Sequence, residues 1–406
     1  MAEQSESNLN SSAANTRRPF FRSKEQARGA ANLSANVVIW ACVACYFLIS
    51  RGDRPLDQVG PERKSVAAQP PAVLPTGKMD AVPITPAVPD PVAVQDETER
   101  KAIARLGALD VEIAEAAHVR TVSFAEREIN DEILASLKDL IHLEQLNLRG
   151  STIDDSGLKE LSGLTRLREL NLSTTSVTDA GIAGLSNLFE LTKLDLSTTQ
   201  FTDAGIVLLL NFKKLEELDL SFTEVSDDGI KGLVELSALR VLSLSYCEGV
   251  GDSAIESIAK FTNLEALDLS NTAVTGTTLS QLAGLGSLTS LDLSFDELGH
   301  VALDQVHELK NLTILNLSDA GVTDAGLKSL LRMTRLESLD LSNSEITDDA
   351  LMQLKSLTRL RTLSLFGCNA ISDGGLIFLH ELPALRSLSL ASTPVTDAGL
   401  EHLSEL

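Results

Sequence analysis

From Leu143 onward the apolar positions recur with a fixed period. Units begin at Leu143, Leu167, Leu191, Leu215, Leu239, Leu264, Leu288, Leu312, Leu336, Leu360 and Leu385, in steps of 24 residues except two of 25, and a weaker copy begins at Val119. That makes twelve units, the last incomplete. Each opens with leucines at its first, fourth and sixth positions, as at Leu167, Leu170 and Leu172. Alternation of this kind predicts a short strand with its leucines turned inward. Ile182, Leu185 and Leu188 follow at three-residue spacing, which predicts one face of a short helix. Thr178 or Asp179 stands at the start of that helix, where an oxygen can accept from free backbone N–H groups. The Gly181 position stays small in nearly every unit, as at Gly157, Gly205, Gly229, Ala254 and Ala302, with Thr278 the largest occupant. A small residue there lets neighbouring units approach. No single unit can bury its own apolar face, so the units are expected to stack, strands in one parallel sheet and helices behind it. Helices are wider than strands, so the stack is expected to curve with the sheet on its concave side.

The chain before the repeat reads differently. Residues 1–30 are polar, with Arg17, Arg18, Arg22, Lys24 and Arg28 near their end. Leu33–Ser50 then runs 18 residues without a charge, which meets the lower limit of about 17 apolar residues for a helix that crosses a bilayer. Residues 31–50 are therefore expected to be a transmembrane or signal-anchor helix. The preceding basic cluster places the N-terminus in the cytoplasm and the remainder outside it. A cleaved signal peptide, giving a secreted protein, or lipidation at Cys42 or Cys45 are the alternatives. Nine of the twelve prolines fall between Pro55 and Pro91, so residues 51–96 are read as an extended, disordered stalk. Residues 97–118 are expected to cap the open end of the stack, with Ile103 and Leu106 on one side of a short helix and Val111 and Ile113 beyond it. Residues 119–406 are the repeat domain.

The repeat resembles the leucine-rich-repeat family, whose fold is an α/β solenoid, or horseshoe. The motif I/V-T-D-x-G-L, seen in Val177–Ile182, Phe201–Ile206, Val322–Leu327 and Val395–Leu400, is similar to the cysteine-containing repeats of F-box substrate adaptors and to anchored bacterial repeat proteins. Cys247 and Cys368 fall in the two 25-residue units, at the place that Thr175 and Thr199 fill elsewhere. The resemblance covers residues 119–406. It implies a non-catalytic protein-binding scaffold. No F-box-like segment precedes the repeats, which sets a ubiquitin-ligase role behind a structural or spacer role in a cell envelope. Cys247 and Cys368 are five units apart, about 24 Å at ~4.8 Å per strand, too far for a disulfide, and are read as buried thiols.

Charge narrows the partners. The net charge is −23, and 24 basic and 47 acidic residues lie from Glu99 onward. So acidic a surface repels phosphate backbones, and no nucleic-acid partner is expected. Between the second and third leucines stand Asn147, Asn171, Asp195, Asp219, Ser243, Asp268, Asp292, Asn316, Asp340, Ser364 and Ser389, and serine usually follows the third leucine. This polar ladder, acidic at Asp195, Asp219, Asp268 and Asp292, has two readings: a surface for a basic protein or peptide, or simply the hydrophilic residues that this strand tolerates. Phe222, Tyr246 and Phe295 share one slot, where other units carry Thr174, Thr198 or Asn271, and Phe366 lies one position earlier in its own unit. Exposed aromatics on a rigid sheet are typical interface anchors, and sideways packing against adjacent loops is the other reading. The unit from Leu288 is irregular, with Gly299 and His300 where others have Thr-Asp. The candidate site is therefore the strand face from Phe222 to His300, with Phe366 beside it. Leu400 and Leu403 leave the last unit uncovered, which end-to-end self-association or fraying would each explain.

Candidate chemistry is sparse. The six histidines show no H-x-x-x-H spacing, the glycines follow the repeat, and no G-x-S-x-G occurs. His300 with Asp296 is the one acid–base pair in view. No cofactor, metal or catalytic residue is expected.

Overall fold

The computed structural model describes residues 97–108 and 118–404. The basic tail, the Leu33–Ser50 segment, the proline-rich stalk and Val111 and Ile113 lie outside the described residues. No helix among the described residues is long and apolar enough to cross a membrane.

One strand forms per unit. Twelve parallel strands, from β1 (Thr121–Ser123) to β12 (Ser387–Ser389), make one sheet in sequence order. Equivalent residues pair in every step, as Leu170 with both Leu146 and Leu194. The strands are three residues long because only the alternating leucine segment is extended before the chain turns back. Behind the sheet, Leu172, Ile182, Leu185 and Leu188 and their counterparts form one continuous aliphatic core. The helical segments are short, and several are 3-10, as at Leu279–Gly284 and Asp373–Glu381. The same three-residue apolar spacing runs through the α-helical units, as at Leu327, Leu330 and Met333, so it accommodates either winding.

Helix Glu97–Ala108 packs against helix Asp131–Leu137, with Ala102 and Leu106 fully buried and Ile103 partly so. In the last unit Leu385, Leu388, Leu390 and Val395 are only partly buried, and Leu400 is exposed. Cys247 and Cys368 are buried, unpaired thiols, and burial pushes Cys247 up to about 11.

The Thr-Asp pair does more than begin a helix. Thr178 caps its own helix by accepting from the Ala180 amide. The following Asp reaches into the next unit. Asp155 accepts from both the amide (2.8 Å) and the hydroxyl (2.7 Å) of Thr178, and Asp179 holds Thr202 in the same way (2.9 and 2.7 Å). Asp203 with Ser226, Asp324 with Thr347, Asp348 with Ser372 and Asp373 with Thr396 repeat the bridge. Asp179, expected as a cap, is thus a bridge between units. The small residue two places on follows from it. A Cβ on Gly181, Gly205 or Gly229 would stand 2.4, 2.3 or 2.2 Å from the carboxylate of the preceding unit.

One core slot carries a charge-bearing group. Thr175, Thr199, Thr223 and Thr393 turn their hydroxyls to the carbonyl three residues back, at 2.6 to 2.7 Å. Cys247 and Cys368 donate to a carbonyl of the preceding unit. Asp296 occupies this slot at 2% exposure. Its Oδ1 accepts from the Thr272 amide, and its Oδ2 has no partner. Burial, reinforced by the nearby Asp292 and Asp268, raises its pKa to about 8. His300, expected as its acid–base partner, is instead exposed at the start of helix His300–Val306.

Two outcomes follow. Asp203→Ala should destabilise the fold by ~1–3 kcal/mol in urea denaturation, since it orphans the Ser226 amide. Adding Gly229→Ala should then cost less than it does alone, because its clash has been removed. Simple additivity of the two changes would show that the carboxylate does not set the glycine. Asp296 is protonated in both states below its unfolded pKa near 3.9. Above that value only the unfolded chain ionises, so stability falls as pH rises from about 4 to about 8. Asp296→Thr restores a donor and removes this dependence. It should be more stable than wild type at pH 7 by an amount on the order of a few kcal/mol, with the gap closing toward pH 4. A gap that is constant with pH would mean that Asp296 does not titrate on unfolding.

Candidate strand-face binding site

Eight of the twelve strands end in the same local device. The Asp or Asn after the central leucine turns its Oδ1 onto the amide two residues ahead, at 2.8 to 3.0 Å, as in Asn171–Ser173, Asp195–Ser197, Asp219–Ser221, Asp268–Ser270, Asp292–Ser294 and Asn316–Ser318. In the Asp units the serine hydroxyl also donates to that oxygen. The D-L-S sequence is therefore a strand terminator first, because a short polar side chain that takes its own backbone amide competes with further pairing.

The next residue takes the left-handed conformation in all twelve units. Glu126, Thr174, Thr198, Phe222, Tyr246, Asn271, Phe295, Asp319, Asn343 and Ser392, with Gly150 and Gly367, have φ between 51° and 69°. Glycine and asparagine reach this region cheaply, and bulky residues do so at a cost of ~1–3 kcal/mol. The backbone alone thus favours Gly or Asn at this row. Phe222, Tyr246 and Phe295 are held there by the ladder, since their amides donate to Ser245, Ser270 and Ser318 carbonyls at 2.8 to 2.9 Å.

This turn sets the geometry of the aromatics. Phe222 and Tyr246 stack, ring centroids 4.1 Å apart and planes 12° off parallel, each half-buried. Phe295 stands two units further along the row, past Asn271, and is 51% exposed. Phe366 is 42% exposed but occupies the serine position that precedes the left-handed residue. It sits nearer β11 (Thr362–Ser364) than the row that Phe222 defines. His300 lies on the helix side of its unit. The structure thus joins Phe222 with Tyr246, places Phe295 on the same row, and leaves Phe366 and His300 apart.

The acidic residues lie beside this row in two registered pairs, Asp195 with Asp219 and Asp268 with Asp292. Ser243 separates the pairs, bonded to the Ser221 hydroxyl (2.7 Å) and donating to Asp268 (3.2 Å). Asn171 and Asn316 close the two outer ends by donating to Asp195 and Asp292. Burial raises the pKa of all four aspartates, and the neighbouring carboxylate adds to the rise at Asp219 (Asp195) and Asp268 (Asp292). Burial and the Asp268 charge likewise raise Tyr246. This stretch of the face is therefore less negative near neutrality than its composition suggests. Sequence reading missed the left-handed row, whose signal was present in the mixture of Gly, Asn, Thr and aromatics at one slot.

Comparison with known proteins is consistent with this architecture. Residues 220–397 match the family model described as a leucine-rich repeat region, and residues 140–162 match a second leucine-rich-repeat model. No curated protein matches the chain. Among solved structures, an internalin of Listeria monocytogenes is similar at 24% identity, over 79% of this chain and 97% of its own, with a TM-score of 0.55. A leucine-rich-repeat protein of Leptospira interrogans is similar at 19% identity, over 77% of this chain and 91% of its own, with a TM-score of 0.46. TLR13, in its complex with a single-stranded RNA, gives 22% identity over 67% of this chain and 43% of its own, with a TM-score of 0.49. At 24% identity the likeness to the internalin is one of fold. A period of 24 or 25 residues, one parallel strand in each period and two matching repeat models lead to a single family: the chain is a leucine-rich-repeat protein.

Proposed function

We propose that the repeat domain is a non-catalytic docking surface for a protein or peptide, and that the Leu33–Ser50 segment holds it on a membrane with the stalk between. The observation that carries the reading is the stacked Phe222–Tyr246 pair with Phe295 on its row, placed at backbone positions that disfavour bulky side chains. Leucine-rich-repeat domains commonly serve as protein-binding scaffolds, and this chain belongs to that family. A rigid sheet presents the rings without ordering a loop, so little conformational entropy is lost on binding. Tyr246 adds a hydroxyl, and Asp219 and Asp268 flank the pair with groups that accept from a basic or amide-bearing side chain. Membrane anchoring rests on the uncharged length of Leu33–Ser50 and the basic residues before it.

Replacing Phe222, Tyr246 and Phe295 together by serine should weaken capture of the natural partner by at least tenfold, as large interface aromatics are worth ~2 kcal/mol or more each. The fold should survive, because none of the three lies in the core. Equal capture by a folded triple variant would move the site elsewhere, and would favour the spacer reading. Protease protection of the repeat domain in intact cells would overturn the orientation.

A further inference from the structure

The strongest unassigned cluster lies at the first unit, away from the strand-face row. Glu99, on helix Glu97–Ala108, is 1% exposed. Its Oε1 accepts from the Val119 amide at 2.9 Å, and its Oε2 lies 2.7 Å from His118 Nδ1. His142 stands one period after His118, so stacking of the units brings the two rings to 3.9 Å between centroids. One donor atom from each of Glu99, His118 and His142 lies within 4.8 Å of the other two. On its far side His142 Nδ1 meets the exposed guanidinium of Arg166 at 2.8 Å.

We propose that Glu99, His118 and His142 form a zinc site that staples the N-terminal helix to the first two units. The donor set is two imidazoles and a carboxylate, with the fourth position left to water. That set suits zinc, whereas magnesium and calcium prefer more oxygens. A buried carboxylate needs a compensating positive charge, and a divalent ion supplies it. Tetrahedral zinc holds donors ~3.3 Å apart, so the cluster must close by up to about 1.5 Å. His118 and His142 are only half-buried and can turn. Arg166, and Arg120 nearby, oppose a cation. Arg120 is already held by Glu144 at 3.0 Å, and Arg166 is free to swing into solvent when the metal takes its place. The three ligands come from the helix, from the residue before Val119 and from the residue before Leu143. The metal therefore adds a cross-link to segments already joined by the Glu99 hydrogen bonds, and its binding free energy becomes folding stability.

The test uses the full, untagged chain, stripped with a chelator and titrated with zinc chloride against a chromophoric competitor, with thermal melting alongside. One tight equivalent is expected, with a melting midpoint several degrees higher, and no shift with magnesium or calcium. His118→Gln and His142→Gln should each abolish the tight equivalent. Arg166→Ala, which removes the competing cation, should tighten it several-fold, an effect that a purely structural role would not produce. No tight equivalent in the wild-type chain, or one that persists in folded His142→Gln, overturns the proposal, the latter by pointing to His300, His307, His380 or His402.

Discussion

The structure depends on a single spacing. Parallel strands lie ~4.8 Å apart, and every side chain in one unit must live within that distance of its copy in the next. Apolar residues benefit, because identical leucines fill one another's gaps and the core runs unbroken from Val119 to Leu382. Polar residues must become donor to one neighbour and acceptor to the other. The Thr-Asp bridge is the solution on the helix side, where each carboxylate takes both polar hydrogens of the following Thr or Ser. The serine hydroxyl and the Asx oxygen are the solution on the strand side. Like charges are the failure case, and the aspartate pairs Asp195–Asp219 and Asp268–Asp292 resolve it by holding protons more tightly.

That spacing also determines how much could be read beforehand. The period, the strand positions and the inward leucines were legible because burial acts on one residue at a time. The role of Asp179 was not, since a Thr-Asp pair before a helix looks the same whether the Asp serves its own helix or the next unit. Gly181 was read as space for a neighbour; the occupant of that space, the Asp155 carboxylate, needed three dimensions. The search for H-x-x-x-H missed His118 and His142 for a related reason. In a solenoid, adjacency is one period, 24 residues, and not one helical turn. Phe222 and Tyr246 were placed on one slot correctly, but the left-handed backbone that aims them was hidden in a slot whose residues share no obvious chemistry.

The bridge is lost at two consecutive steps in the middle of the stack. Gly276 stands where an Asp is expected, and the next unit has Gly299 where the receiving Thr is expected, so neither is left unpaired. The following step loses the acceptor, since His300 replaces Asp, and the receiving Thr323 makes no side-chain cap. In place of the bridge, Gly276 adopts φ +83° and lies so near Ala302 that a Cβ there would stand 2.4 Å from the alanine methyl. Close backbone approach thus replaces hydrogen bonding at this step. Asp296 falls within the same stretch, behind Phe295. Three departures from the repeat therefore cluster where the Asp bridge between units is missing.

The protonated aspartates bear on what the strand face can recognise. A basic side chain placed beside Asp219 or Asp268 favours the carboxylate form, so part of the attraction it gains is spent in releasing a proton. A neutral donor, such as a backbone amide or an asparagine, meets no such cost and can bond the protonated pair as it stands. As pH rises and these carboxyls ionise, the face becomes more negative and more favourable to basic groups. The aromatic row stays neutral through this change, because Phe222 and Phe295 do not titrate and burial raises Tyr246.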